Sequence, residues 1–460
     1  MKSYDVKFWA IRPGKAKTKR TYEVRWKVGH VPHSRTLGNK AQAENFLSDL
    51  RQASRTGEAF DTASGLPESL AASRRERSWF EFCLAYMDMK WPSAAPKTRD
   101  GITDALAAVI PALVGEQLPD GLQVAILRSA LRHFALPPSS RDLVRPPDEA
   151  SALRWLEKAS LPVSEIGKLQ HARAALDAIS VRQDGRAASA TTIARKRSVF
   201  ANALRYAVEL GELPSSPLDR LSWKPPKVSE VVDRRVVVNP RQARELLTAV
   251  TYVGQNTRGP YARGQRLMAY YACMYFVALR PAEAVALRVQ DCYLPVTGWG
   301  RLTLEKSRPE VNRRWTDIGS AHGERGLKHR AAKETRRVPI PPELVAILRT
   351  HLDTFGTAPD GRVFSSDRGQ PVASTAISDV WAEARTFALT PAQVASPLAG
   401  RPYDLRHGAV SLWLAAGVPA PRVAERAGHS VEVLLRVYAK CLDDGDDIAN
   451  TRIDSALRDA

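Results

Sequence analysis

The sequence has few cysteines, and none of them is close to another. Four are present among 460 residues, at Cys83, Cys273, Cys292 and Cys441, with no CxxC pair. This spacing argues against both a disulfide framework and a cysteine-based zinc site. It favours a protein of the reducing cytoplasm.

Long hydrophobic runs are also missing. No segment is apolar over the roughly 20 residues that a membrane-spanning helix needs. The N-terminus, MKSYDVKFWAIRPGK, lacks the apolar stretch of a signal peptide. The sequence therefore predicts no membrane partner.

Acidic residues are outnumbered. There are 49 Asp and Glu against 68 Lys and Arg, which gives a formal net charge of +19, while 44% of the residues are hydrophobic. The hydrophobic fraction indicates a folded protein. Such a basic excess is either a solvated surface or a surface for a polyanion, and it favours nucleic acid over an anionic membrane, because no basic amphipathic anchor is present.

The pattern of the first sixty residues predicts a small α+β module. The first fifty hold eleven Lys or Arg and four acidic residues, a net charge of +7. Alternating apolar and polar residues predict strands at 6–11, 21–28 and 34–37. Asn39 is placed to cap a helix that runs from Lys40 to about Ser54. The charge density favours contact with DNA over a sheet with merely solvated lysines.

Residues 56–73 are mostly small or polar and are predicted to form a linker. The block that follows, 72–228, is helical throughout, with its clearest helix from Thr191 or Thr192 to Glu209. Gly211 and two prolines end that helix. Further helices are predicted near 98–109, 120–135, 148–159 and 164–182.

The last block, 236–460, mixes helices with a few strands and contains three short motifs. Each places an arginine, a histidine or a tyrosine beside a helix boundary. Alone, such a residue is more often a cap, a helix stop or a core side chain. In chain order they are Leu279-Arg280-Pro281-Ala282-Glu283, Tyr403-Asp404-Leu405-Arg406-His407, and Gly428-His429 followed by Tyr438.

Taken in this order, the motifs resemble those of the tyrosine recombinases (phage integrases), with a catalytic domain similar to the actinobacterial type. The family pattern is an arginine in an LRxxE turn, a basic β-hairpin with a lysine, an HxxRH box, a GH box and a tyrosine near the C-terminus. The resemblance implies an arm-binding domain at 1–60, a core-binding domain at 72–228 and a catalytic domain at 236–460. It also implies double-stranded attachment sites, a homotetramer on DNA and an accessory excision factor.

The chemistry implied by the resemblance explains these residue types. Displacement at a phosphodiester places negative charge on two non-bridging oxygens, which the forked guanidinium groups of Arg280 and Arg406 can clamp. Tyr438 is the expected nucleophile, and it becomes a 3′-phosphotyrosine. His429 is expected to bond a phosphate oxygen. The bond energy stays in the phosphotyrosine, so the sequence predicts no cofactor, and it shows neither a Walker A motif nor a carboxylate cluster for two metals.

Two features depart from the family pattern, the residue at position 403 and the length of the hairpin. Tyr403 replaces the first histidine of the HxxRH box, and a phenol with a pKa near 10 is a poor general base at neutral pH. The hairpin is long, and either Lys328 or Lys333 could protonate the leaving 5′-oxygen. Lys328 is preferred because it follows an apolar residue that could end a strand.

Two other functions are compatible with the same residues. A type IB topoisomerase would use the same chemistry to relax supercoils, and the separate basic N-terminal module argues against it. A DNA-binding protein without catalysis would be consistent with Tyr403. The presence of both arginines, His429 and Tyr438 argues against that reading.

Overall fold

The computed structural model describes most of the chain. The described residues are 2–14, 21–67, 69–70, 76–227, 231–254, 260–317, 319–320, 323–328 and 334–438, together with 450, 451, 454, 457 and 458. They form two compact units. Unit 1 comprises Met1–Ser93 and Gly101–Pro225, and unit 2 comprises Ala94–Asp100 and Pro226–Ala460.

Unit 1 begins with an antiparallel sheet covered by one helix. The elements are β1 (Lys2–Ser3), β2 (Val6–Phe8), β3 (Arg12–Pro13), β4 (Tyr22–Val28), β5 (Val31–Leu37) and α1 (Lys40–Arg55). Strand β4 pairs with β2 and β3 on one side and with β5 on the other. Val24, Trp26 and Val28 alternate onto the buried face and pack against α1. The predicted cap is confirmed, since the Asn39 side chain accepts a bond of 2.8 Å from the Gln42 N–H.

The predicted linker at 56–73 is wrong for residues 56–67, while residues 68 and 71–73 lie outside the described residues. Phe60 and Asp61 form strand β6, which pairs with β1. Phe60 and Leu66 are buried in the same hydrophobic cluster as Val24. These two apolar side chains explain the difference, because burying them against the sheet orders a segment whose composition is otherwise that of a loop.

Helices fill the rest of unit 1. They are α2 (Trp79–Lys90), α3 (Pro96–Val109), α4 (Val124–Ala130), α5 (Pro147–Ala159), α6 (Val163–Ile166), α7 (Leu169–Ser180) and α8 (Ala190–Glu209). Helix α3 begins in the part of the chain assigned to unit 2. The single helix predicted at 164–182 is wrong, since the chain turns at Gly167 and Lys168 between α6 and α7. The helix predicted at 120–135 begins at Val124 and continues as a π-helix over Leu131–Ala135.

Unit 2 is helical with small sheets. Its helices are α9 (Pro240–Val250), α10 (Arg263–Val277), α11 (Pro281–Ala286), α12 (Pro342–Phe355), α13 (Ser374–Ala388), α14 (Pro391–Ala395), α15 (Asp404–Ala415), α16 (Ala420–Ala427) and α17 (Val431–Tyr438). Its strands are β7 (Cys292–Tyr293), β8 (Gly300–Leu304), β9 (Lys306–Ser307), β10 (Arg325–Gly326) and β11 (Arg336–Ile340).

Helix α10 lies at the centre of unit 2 and packs against α9, α12 and α15. Its aromatic and aliphatic side chains are buried on nearly every face, which is the pattern of a helix surrounded by others. The predicted basic hairpin is confirmed, with β8 and β11 antiparallel and Leu304 opposite Arg336. Among the described residues, no helix is apolar over a length that would cross a bilayer.

Candidate active site

The turn between α10 and α11 places Arg280. Ala278 adopts the left-handed conformation, with φ of 52°, and this reverses the chain after α10. Pro281 then starts α11, where its missing N–H costs nothing. The Arg280 backbone N–H donates to Glu283 Oε2 at 2.9 Å, and its Nη1 donates to Glu283 Oε1 at 2.8 Å. The helix start therefore fixes both the backbone and the guanidinium group of Arg280.

Glu283 also binds a second arginine, on β11. Arg336 Nη1 and Nη2 donate to the two carboxylate oxygens of Glu283 at 2.9 and 2.7 Å, and both residues are only 1% exposed. Burial alone would raise the pKa of Glu283, but the adjacent Arg336, with Arg280 and Arg406, lowers it to about 2. The carboxylate is thus charged at neutral pH and orients two guanidinium groups.

Arg336 was not predicted as a site residue. The signal in the sequence is its position on β11, where it alternates with Val338 and Ile340 and shares their buried face. An arginine on the apolar face of a strand needs a buried partner. Glu283 is that partner.

The start of α15 contributes Tyr403, Arg406 and His407. Arg406 is fully buried and donates to the carbonyl groups of Ala278 and Ala427, the latter at 2.6 Å. Its Nη2 also bonds His429 Nε2 at 2.7 Å. Burial lowers the pKa of Arg406, but a guanidinium keeps its proton at neutral pH. Its Cζ atom lies 6.0 Å from the centre of the Tyr403 ring, within cation–π range.

The end of α16 places Gly428 and His429. Gly428 has φ of 70°, and a Cβ atom there would collide with the Arg336 guanidinium group and lie 3.1 Å from Arg280 Nη1. Its carbonyl accepts a bond of 2.5 Å from Arg280 Nη2. Only glycine combines this backbone conformation with this close approach.

His429 is neutral at physiological pH. Burial, followed by the charges of Arg406, Arg280 and Arg336, lowers its pKa to about 3. A guanidinium can only donate, so Nε2 accepts from Arg406 and Nδ1 carries the proton. That Nδ1 atom is buried and has no hydrogen-bond partner among the described residues, so it can donate to an added acceptor.

Tyr438 is the last residue of α17 and is 1% exposed. It belongs to a hydrophobic cluster that includes Ala278 and Ala427. Its Oη atom lies 2.8 Å from His407 Nδ1, and its ring lies 6.2 Å from that of His429 at an angle of 29°. The phenol is therefore held beside the arginine cluster by both aliphatic packing and a hydrogen bond.

Lys328 is not joined to this cluster in the part of the chain that the structure describes. Lys328 occupies an exposed turn two residues after β10, and among the described residues no hydrogen bond or ion pair joins it to the arginines or to Tyr438. Lys333 lies outside the described residues. Within those same residues, no group of three or more His, Cys, Asp or Glu side chains is arranged to hold a metal ion.

The structure thus brings together five of the six predicted site residues, and it adds three others. The five are Arg280, Tyr403, Arg406, His429 and Tyr438; the three are Glu283, Arg336 and His407. Three guanidinium groups around one carboxylate leave a positive site suited to an anion. Two phenols and two imidazoles border it, so the arrangement offers a nucleophile and proton carriers next to an anion site.

Comparison with known proteins gives matches only among solved structures. No family model matches the sequence, and no curated protein does. The fold is similar to that of a fragment of the Tn1549 transposon integrase in complex with circular intermediate DNA, at 16% identity and a TM-score of 0.43, covering 68% of this chain and 94% of that one. XerH site-specific recombinase bound to its difH substrate is 13% identical, with a TM-score of 0.43 and coverage of 78% and 94%. A lambda integrase dimer bound to a core site is 13% identical, with a TM-score of 0.46 and coverage of 94% of both chains.

Proposed function

We propose that the chain is a site-specific DNA recombinase that cleaves and rejoins DNA through a phosphotyrosine at Tyr438. One observation carries the proposal. Arg280, Arg406, His429 and Tyr438 come from segments up to 158 residues apart in the chain and meet in one place. Arg280 bonds the Gly428 carbonyl next to His429, His429 bonds Arg406, and its ring stacks with that of Tyr438. A structural role alone would not require a buried arginine, a half-buried arginine, a neutral histidine and a phenol at the same place.

In the proposed reaction, the arginines bind the non-bridging oxygens of the scissile phosphate. Arg280 and Arg406 now donate to main-chain carbonyls, and a phosphate oxygen is a stronger acceptor than a carbonyl because it is charged. His429 adds its Nδ1–H. The negative charge that develops on these oxygens is stabilised by donors already in position, which is usually the largest contribution to such catalysis.

The proposal is tested with nicked duplexes that carry candidate core sites. The nick lets the short product strand diffuse away, so that the covalent protein–DNA adduct accumulates and is counted on a denaturing gel. Wild-type protein should form the adduct, and Tyr438→Phe should bind the same DNA without forming it. Arg280→Lys and Arg406→Lys should each lower the rate about 100-fold or more, since an ammonium group is a point charge without the two-pronged geometry. Adduct formation by Tyr438→Phe would disprove the assignment.

Lys328 is the proposed general acid for the leaving 5′-oxygen. Its exposed turn leaves the side chain accessible to a DNA duplex. Lys328→Ala should cleave normal DNA slowly and recover on a substrate whose bridging 5′-oxygen is sulfur, because a thiolate leaves without a proton. Lys333→Ala should resemble wild type on both substrates. The reverse pattern would assign the role to Lys333.

The proposed DNA partner is also supported by the sheet of unit 1. Lys7 and Lys27 are paired across β2 and β4, on the face opposite to Val24 and Trp26. Arg25 shares that face and lies 5.7 Å from the ring of Trp9, which is 41% exposed. A basic sheet face with an exposed aromatic ring suits contact with the backbone and grooves of DNA.

This face is tested by charge reversal. Lys7→Glu with Lys27→Glu should weaken binding to a full attachment site and reduce its salt dependence, because fewer counterions are released. Cleavage of a short core site should be unchanged. Arg51→Glu with Arg55→Glu, on the exposed side of α1, is the matched control. Equal loss of binding in both pairs would show a general charge effect and no specific face.

A further inference from the structure

His407 contacts the atom that is proposed to react. It follows Arg406 on α15, and its Nδ1 atom lies 2.8 Å from Tyr438 Oη. Its ring also forms a T-shaped contact with that of Tyr403, with the ring centres 5.2 Å apart. His407 is therefore fixed between the two tyrosines of the site.

Tyr403 is a poor candidate for the general base of the site. A phenol accepts a proton only as phenolate, which is scarce at neutral pH. His429 is engaged through its accepting nitrogen with Arg406 at 2.7 Å. Of the described groups in the cluster, His407 has an imidazole nitrogen within hydrogen-bond reach of Tyr438, which is the geometry that a general base requires.

We propose that His407 is the general base that removes the proton of Tyr438. The inference rests on the proposed function. As Tyr438 Oη forms its bond to phosphorus, the phenolic proton passes to His407 Nδ1, and the bond from phosphorus to the 5′-oxygen breaks. The leaving oxygen takes a proton from the general acid. In the rejoining step the attacking 5′-hydroxyl returns its proton to the general acid and the imidazolium returns its proton to Tyr438, so the enzyme is restored.

The electrostatic surroundings keep His407 in the accepting form. Burial first, and then the charges of Arg406 and Arg401, lower its pKa to about 4, while Asp404 acts in the opposite direction. Among the described residues, Tyr403, His429 and Tyr438 are the other titratable groups that face it. The imidazole is thus neutral at pH 7. A bound phosphodiester adds a negative charge nearby, which raises the pKa of an imidazole and makes it a stronger base.

The test separates a base from a residue that merely holds the nucleophile in place. His407→Asn keeps a polar atom near the position of Nδ1 but cannot take up a proton, and His407→Ala removes both. Each should slow adduct formation on nicked DNA about 100-fold or more with DNA binding retained. His30→Asn, an exposed histidine of unit 1, should cleave like wild type.

Rescue provides the decisive readout. A ring-fluorinated tyrosine at position 438 ionises at lower pH and depends less on a base. It should restore most of the rate in His407→Asn and none in Arg406→Lys. Wild-type rates in His407→Asn, or a loss that fluorination does not repair, would overturn the role of His407 and leave the proposed function intact. Absence of any adduct with wild-type protein would overturn both.

Discussion

Glu283 is the residue on which the arginine cluster depends. Its carboxylate accepts bonds from the Arg280 backbone, the Arg280 side chain and both arms of Arg336. Four bonds to one carboxylate use most of its acceptor capacity. Arg280 and Arg336 are therefore oriented by a group that would not itself touch a bound phosphate.

Glu283→Gln is expected to lower the free energy of unfolding by about 3–5 kcal/mol, because it leaves buried guanidinium groups without their counter-charge. It should also reduce adduct formation more than it reduces DNA binding. Urea denaturation and the nicked-substrate assay measure the two effects. Glu245→Gln is the control, since Glu245 pairs with Arg241 at the surface at 2.8 Å and such a pair contributes about 1 kcal/mol or less. Equal effects of both substitutions would contradict the pivotal role of Glu283.

The site is assembled where helices end. Two left-handed residues, Ala278 after α10 and Gly428 after α16, turn the chain so that their carbonyls face Arg406 and Arg280. The arginines then bond groups that helix termini leave without partners. The ends of α10 and α16 thus define the positions of the two arginine side chains.

Gly428→Ala is expected to be worse than an ordinary glycine substitution at a helix end. It incurs the left-handed strain of about 1–2 kcal/mol and also displaces Arg336 and Arg280. Gly211→Ala is the matched control, because Gly211 has φ of 74° and nothing lies within 4 Å of its added Cβ. Thermal melting should show the larger loss in Gly428→Ala, and only that variant should lose adduct formation. Equal melting losses would mean that the collision is relieved without cost.

Sequence patterns predicted those elements whose signals are local. Asn39 marked the start of α1, and apolar periodicity with Gly211 marked α8, because caps and helix faces depend on near neighbours. Three features were not predicted: the burial of Phe60 and Leu66 against the sheet, the pairing of Arg336 with Glu283, and the contact of His407 with Tyr438. Each depends on a partner distant in the chain, which periodicity does not contain.

The site couples the folding of the protein to pH. The pKa values of His407, His429 and Glu283 are lowered to about 4, 3 and 2. In each case the unfolded chain binds the proton more readily than the fold does. The stabilisation that these groups contribute is therefore fully present above their pKa values in the unfolded chain, near 6.5 for histidine. It is lost as pH falls towards their pKa values in the folded protein.

Denaturation from pH 7 to 4 should show a falling free energy of unfolding. His407→Asn should flatten the slope between about pH 6.5 and 4 relative to wild type. Identical slopes in wild type and His407→Asn would show that His407 titrates normally in the folded protein.

The excess of positive charge around Glu283 is expected to bind inorganic anions. Three guanidinium groups and one carboxylate meet in a largely buried place, so inorganic sulfate or phosphate that enters it acts as a ligand of the folded form. By mass action, an anion at a hundred times its dissociation constant stabilises the fold by about 2.7 kcal/mol. The same anion occupies the position proposed for the scissile phosphate. A buffer that protects this protein during storage is thus expected to act as a competitive inhibitor when DNA is added.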